Sequence, residues 1–378
     1  MAGLYIHIPF CNNKCPYCDF VSGSFSIEVK RRYMNALLME LDIYAKRDDI
    51  RNLTFDTLYI GGGTPSTVPA YDLAQVIDAA FSSLSWSRYG VETTVEANPE
   101  SVTVEWLKIM RAAGVNRLSL GVQSLSEEGL LALGRRHTVR DAINAFQMAR
   151  DTGFEVIGVD LIYGWHGDSI DQWRETLGKA VSLCPEHISC YELTIEDGTS
   201  FKAWIEQGRV TLPDEETILA LTGMAEGFLS EAGYKQYEIS NFARSGLECR
   251  HNLSYWRNRA YLGLGCSAVS YLPPVRHKNE TDVFFYMDAI FSGRAPIGSS
   301  EALEEDARFR ESVVMGLRLV EGIQLKAFQR EWGRDVLVYY KDELVWLVAN
   351  GLIFHDAGRL FLTRRGRRLA NLVLSRLV

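Results

Sequence analysis

Six short apolar or β-branched runs, at 4–9, 54–60, 91–97, 117–122, 156–163 and 187–195, are each bounded by Gly, Pro, Asn or Asp, with stretches of helical spacing between them. This alternation narrows the fold sharply. Parallel strands need crossover connections of about a dozen residues or more, and a helix is the usual one. The clearest helical pattern is 27–46, which sets Tyr33, Met34, Leu37, Leu38, Leu41, Tyr44 and Ala45 on one face. Segments 71–84, 103–113, 139–152 and 169–183 read similarly. The expected fold class is α/β, with a partial parallel (β/α)6 TIM-like barrel over 1–200.

The chain has 378 residues, more than a barrel of roughly 250 requires, so a smaller second module is expected. Beyond 200 the pattern changes to a helix at 214–232, an irregular stretch through 241–256 and the glycine-rich segment Tyr261–Cys266. We read 201–300 as an extension of the barrel. The Gly, Ser and Pro content of 292–300, followed by acidic 301–306, marks a boundary. In 301–378, two or three helices precede a hairpin at 352–362 around Asp356-Ala357-Gly358, and a last helix starts near Thr363. That order predicts a mainly helical, winged-helix-like C-terminal domain with a packing or lid role.

With 47% apolar and 23% charged residues the chain has the balance of a globular protein. Its formal charge is −8, from 40 Lys and Arg against 48 Asp and Glu, which argues against a protein that coats nucleic acid. No nucleic-acid partner is expected. Residues 356–378 carry six arginines against Asp356 alone; a solvated helix face is the plain reading, and a peripheral contact with a membrane or an acidic partner is the other. The first residues show neither the basic nor the apolar stretch of an export signal, and no stretch approaches the roughly 18 apolar residues of a membrane span. A cytoplasmic protein is expected. The seven cysteines are an odd number, and three fall within eight residues, a pattern of metal or redox chemistry in a reduced compartment rather than of a disulfide framework.

Those three form Cys11-x-x-x-Cys15-x-x-Cys18, directly after the first strand. A zinc site would want a fourth ligand at similar spacing, and none lies nearby; His7 is within the strand and reads as a packed or hydrogen-bonding residue. Three thiolates on a four-iron cluster leave one iron open to a ligand. We therefore read an iron–sulfur cluster, with zinc or three structural cysteines as the alternatives. Gly61-Gly62-Gly63-Thr64-Pro65 ends the second strand, either as a tight turn or as backbone that comes close to a ligand. The third strand ends in Glu96-Ala97-Asn98-Pro99, the fourth in Gly121-Val122-Gln123 and the fifth in Asp160 within Gly158–Gly164. In a parallel barrel all of these and the cysteine loop lie at the C-terminal face, where such folds place their sites. One pocket is expected.

The cysteine loop and Gly-Gly-Gly-Thr-Pro together resemble the radical S-adenosylmethionine (SAM) superfamily, in which the open iron of a [4Fe-4S] cluster binds the amino and carboxylate groups of SAM. Within it, Tyr5–Cys11, Glu96, Gly121-Val122-Gln123, Arg135 and Asp160–Gly164 resemble the HemN/HemW group, the oxygen-independent coproporphyrinogen III oxidases and their haem-chaperone branch. The resemblance covers most of the chain, the C-terminal module included. It implies SAM contacts at Tyr5, Tyr17, Gly62, Gly63, Thr64, Glu96, Gln123, Arg135 and Asp160. Such roles suit the side chains: Glu96 can accept from an ammonium or ribose hydroxyl, Gln123 and Asp160 can hold ribose, and Arg135 can grip a carboxylate.

Two departures point away from the oxidase. Phe20 stands where the oxidase has a further cysteine, and only ten residues precede Cys11. In their place His251-Asn252-Leu253-Ser254-Tyr255 matches the H-N-x-x-Y motif of the haem-chaperone branch. The resemblance then implies haem as cargo, met by His251, Asn252 and Tyr255, with Cys249 as a competing thiolate ligand. The expected function is a haem chaperone with a [4Fe-4S] cluster and SAM, delivering haem to haem-accepting proteins such as respiratory cytochromes. A coproporphyrinogen oxidase and a radical SAM methyltransferase are the alternatives, and a homodimer is left open.

Overall fold

The computed structural model describes residues 1–356 and 358–378. Strands β1 (Ala2–Ile8), β2 (Phe55–Gly62), β3 (Glu92–Ala97), β4 (Arg117–Gln123), β5 (Val156–Tyr163) and β6 (His187–Glu192) lie side by side in chain order, every neighbouring pair parallel. Between them run the helices Ile27–Ala45, Ala70–Ser83, Val104–Ala112, Val139–Asp151 and Ile170–Ser182. Four of the five begin at a Ser or Thr, namely Ser26, Thr103, Thr138 and Ser169, whose hydroxyl accepts from a backbone N–H of the first turn. Each cap satisfies a donor the helix itself leaves unpaired. At Thr138 the cap is reciprocal, because Asp141 accepts in turn from the Thr138 backbone.

The six strands do not close on themselves. Past β6 come β8 (Asn241–Ala243) and β7 (Lys235–Gln236), both in antiparallel pairings. On the other side, β9 (Tyr261–Leu264) pairs parallel to β1 and leads to the antiparallel β10 (Val269–Leu272), β11 (Val275–Asn279) and β12 (Ile297–Ala302). There are thus seven adjacent parallel strands, one more than expected. The glycine-rich 261–266 supplies the seventh because a Cβ on Gly263 would run into the Val269 backbone that crosses it. The stretch 241–256, expected to be irregular, contains β8 and the helix Arg250–Trp256.

A single large core of strand and helix side chains fills the sheet and its crossovers. A second core, built on Phe309, Val313, Leu317, Leu347, Leu352, Leu362 and Val373, belongs to the C-terminal part. There the helices Glu305–Leu317, Leu325–Trp332 and Lys341–Ala349 pack with a three-stranded sheet ordered β13 (Ile323–Gln324), β15 (Arg359–Leu362), β14 (Ile353–His355). The hairpin expected at 352–362 is present; its turn residue Ala357 lies outside the described residues. Arg364 and Arg368 of the basic tail meet Glu226 at 2.6 Å, tying this part to the barrel's Glu215–Glu231 helix. Among the described residues no helix is long and apolar enough to cross a membrane.

Candidate cofactor site inside the barrel

A cavity of about 360 Å³ opens at the C-terminal ends of the strands and reaches down between them. Cys11, Cys15 and Cys18 line its mouth together with Tyr17 and Phe20. The cysteine loop is anchored by backbone bonds, Cys11 N–H to Gly23 carbonyl at 2.9 Å and Thr64 N–H to Phe10 carbonyl at 2.7 Å. The Cys11 thiol lies 3.4 Å from the Thr64 hydroxyl, and Arg135 donates to the Cys15 sulfur at 3.1 Å. Burial pushes the Cys18 thiol up to about 11. A bound metal would reverse that, since a coordinated thiol gives up its proton.

None of the other four cysteines joins these three at the mouth: Cys184 is exposed, Cys190 and Cys266 are buried in the core, and Cys249 lies by Glu92 at the start of β3, low in the same cavity. Three thiols around one cavity mouth fit a cluster with one open iron.

Below the cysteines the wall is polar, and buried atoms of Thr94, Arg117 and Arg135 in it have no partner within the protein. Glu96 accepts from the Tyr59 hydroxyl at 2.7 Å and the Gly62 N–H at 3.1 Å, and burial raises its carboxyl to about 7. Asp160 accepts from Ser189 at 2.6 Å and Ser119 at 2.9 Å, and burial raises it as well. Arg135, its side chain only 6% exposed, also donates to the Gly121 carbonyl at 3.1 Å and faces Glu100 at 3.7 Å. Gln123 closes β4 at φ 66°, a left-handed conformation uncommon for a side chain of its size, next to a register shift against β5. Backbone held there at a cavity wall is a mark of a functional position.

The glycine run, expected either as a tight turn or as backbone close to a ligand, packs closely against the protein and also reaches the cavity. Gly62 and Gly63 line the cavity, but their N–H groups are used within the protein, by Glu96 and by the Ile8 carbonyl at 2.8 Å. A Cβ at 63 would sit 2.8 Å from the carbonyls of Ile8 and Phe10, and one at 62, where φ is +107°, would strike the His7 ring. The glycines let the cysteine loop lie against the end of β2.

The cavity brings together Tyr17, Gly62, Gly63, Thr64, Glu96, Gln123, Arg135 and Asp160 with the three cysteines, and adds Cys249 and Asn252 low in the barrel. Tyr5, His251 and Tyr255 do not line it. Tyr5, on the same face of the sheet as its register partner Tyr59, meets His7 Nδ1 at 3.0 Å. His251, expected in a loop, is on the Arg250–Trp256 helix and 1% exposed; Nδ1 meets Thr57 at 2.8 Å and Nε2 meets Tyr255 at 3.0 Å. Burial lowers its imidazole to about 3, so the ring is neutral. Sequence reading missed Tyr59, Thr94, Arg117, Ser119, His187, Ser189 and Tyr191, all of which line the cavity. Their signal is the pleat: residues two apart share a face, which joins 123, 121, 119 and 117 on β4, 191, 189 and 187 on β6, 96 and 94 on β3, and 61 and 59 on β2.

The radical SAM superfamily pattern matches residues 5–180, and the HemN C-terminal domain matches 303–369. The heme chaperone HemW of Bacillus subtilis is 35% identical over 98% of this chain and 97% of its own length. That of Escherichia coli is 39% identical over 70% of this chain and 68% of its own. In fold, coproporphyrinogen III oxidase (HemN) of E. coli superposes over all of this chain and 89% of its own, with a TM-score of 0.86 at 22% identity. Membership of the superfamily implies a [4Fe-4S] cluster and SAM as cofactors, and the cysteine mouth and polar wall fit both. A seven-stranded parallel core, a cysteine triad at its open end and relatives alike over nearly the whole length place this chain in the HemW family of the radical SAM superfamily.

Proposed function

We propose that this protein binds haem and delivers it to haem-accepting proteins, respiratory cytochromes among them, with a [4Fe-4S] cluster on Cys11, Cys15 and Cys18 and SAM serving that transfer. The observation that carries this reading is the likeness to the B. subtilis heme chaperone over 98% of the chain. The cavity supports it in detail. The cluster's open iron would take the methionine end of SAM, Arg135 is poised for its carboxylate, Glu96 for its ammonium or ribose, and Gln123 and Asp160 for the ribose hydroxyls. Tyr17, Gly62, Gly63 and Thr64 would shape that pocket, and Tyr5 would act on it through His7. Of the residues expected at the haem, Cys249 and Asn252 face the cavity, and contact from this segment is proposed through them. A cytoplasmic location belongs to the same reading, as do a homodimer and a peripheral membrane contact through Arg365 and Arg376.

The test is anaerobic reconstitution, with absorption spectra before and after haem is added and a porphyrin product assay on the reduced protein with SAM. One cluster, a Soret band and no protoporphyrinogen are expected. Replacing Cys184, Cys190, Cys249 or Cys266 singly should leave the iron content unchanged, whereas Cys11→Ser, Cys15→Ser or Cys18→Ser should abolish the cluster. Several turnovers to protoporphyrinogen would make the protein an oxidase instead.

A further inference from the structure

The His251-Asn252-x-x-Tyr255 segment sits at the bottom of the barrel, opposite the cysteine loop. Its helix packs on β1 and β2 where residues 3 and 57, then 5 and 59, are register partners. Gly3 leaves a hole in the lower layer, and the His251 ring fills it: a Cβ on Gly3 would be 3.0 Å from His251 Cε1. The ring lies against the next layer up, stacked on Tyr59 at 5.1 Å and 25° and on Tyr5 at 6.4 Å and 30° between centroids.

Each of these tyrosines begins a row that climbs to the cofactor site. Tyr59 donates to Glu96, which also holds the Gly62 N–H. Tyr5 bonds to His7 Nδ1, and His7 Nε2 reaches the Val21 carbonyl in the loop that carries the cysteines, at 3.1 Å. Thr57 and Tyr255 occupy both nitrogens of the His251 ring. An iron would need one of those nitrogens and a path to it, and the ring is 1% exposed.

We propose that His251 is a positioning residue of the SAM site and not a haem ligand: the ring stacks beneath Tyr59 and Tyr5, orienting Glu96 through the first and the cysteine loop through the second. Tyr255 and Thr57 hold the ring in its plane, so the motif is a plug that fixes the floor of the site. This rests on the reading of the cavity as a SAM site.

The test measures SAM affinity and haem spectra on the reconstituted protein with His251→Gln, Tyr59→Phe and the double variant. Glutamine keeps some hydrogen bonding but loses the stack, and Tyr59→Phe keeps the stack but loses the bond to Glu96. Each single variant should weaken SAM binding by about tenfold, the scale of one lost bond to a charged group. The double variant should lose less than the product of the two single losses, since His251 acts on Glu96 through Tyr59 and only its route through Tyr5 adds to the loss of that bond. The Soret band and haem spin state of His251→Gln should match the parent. A changed spin state would restore His251 as a haem ligand and overturn the proposal, as would unchanged SAM affinity or additive losses in the double variant. If His251→Gln does not fold, Tyr59→Phe decides: unchanged SAM affinity in that variant overturns the route through Glu96. A parent that binds no SAM would sink the functional reading, and this inference with it.

Discussion

Glu96 combines burial, two hydrogen bonds and a raised pKa in one side chain, and this makes its removal informative in two ways. Glu96→Gln keeps the shape and removes the charge, so SAM binding should weaken by about tenfold or more in a direct titration. In the parent, SAM affinity should fall as pH drops below about 7, where the carboxyl takes up its proton. Stability runs the other way. A carboxyl whose folded pKa is raised holds a proton that the unfolded chain has lost, so its contribution is full below about 4.5 and disappears as pH rises through about 7. Glu40 titrates in the same window under three donors, from Tyr286, Gly265 and Asn279. In urea unfolding at pH 5 and pH 8, Glu96→Gln should reduce the parent's loss of stability across the window, and Glu40 should account for part of what remains. Equal pH dependence in parent and variant would show that Glu96 is ionised in the folded protein throughout.

Elements were legible to the degree that they are local. The crossover helices carry their own start signals, and Thr138 with Asp141 can be read straight from the sequence as a capping box. Thr138→Ala should cost about 1 kcal/mol in a denaturation measurement while leaving SAM affinity unchanged, because that helix meets the barrel on its outer side. The short pieces were not legible. Strand β9 has four residues and the helix Arg250–Trp256 has seven, too few for either periodicity to show. What makes β9 a strand is its pairing with β1, some 250 residues away in the chain. The helix has no side-chain hydrogen bond at its Cys249 cap; instead Glu92 accepts from the N–H groups of Arg250 and His251 at 3.1 and 3.0 Å.

At the scale of the whole molecule, the two cores meet through apolar contact at Ile239, the Arg318 guanidinium over the Trp256 ring and several polar contacts. Glu226 on the barrel side is buried and receives Arg364 and Arg368; Asn258 donates to Ser312 at 2.9 Å, and Arg257 faces Glu321 at 3.2 Å. The basic tail, whose plain reading was a solvated face, thus commits two of its arginines to this junction. Glu226→Ala leaves both without their partner, so the C-terminal part should become more readily cleaved by protease near 300–306, at a stability cost of about 1–3 kcal/mol. The cluster spectrum should not change, because Cys11, Cys15 and Cys18 are anchored by the barrel alone. Loss of the cluster in this variant would mean that the junction reaches the site.

The sequence by itself determined the six β/α units, the cysteine spacing and the strand ends that converge on one face, because periodicity, turn residues and short-range spacing are local properties of a chain. It also named part of the cavity wall, from Glu96, Gln123 and Asp160 at the strand ends to the three cysteines. Only the tertiary structure decided how far down the barrel the cavity reaches: the alternation Arg117-x-Ser119-x-Gly121-x-Gln123 is visible in the sequence, but whether those side chains meet open space or packed neighbours depends on strands far apart in the chain. The same holds for His251. Its motif marks it as special, but whether an imidazole is a free ligand or a packed, doubly bonded ring depends on Thr57, Tyr59 and Gly3, which lie some 190–250 residues away and reach it only when the helix Arg250–Trp256 packs on β1 and β2.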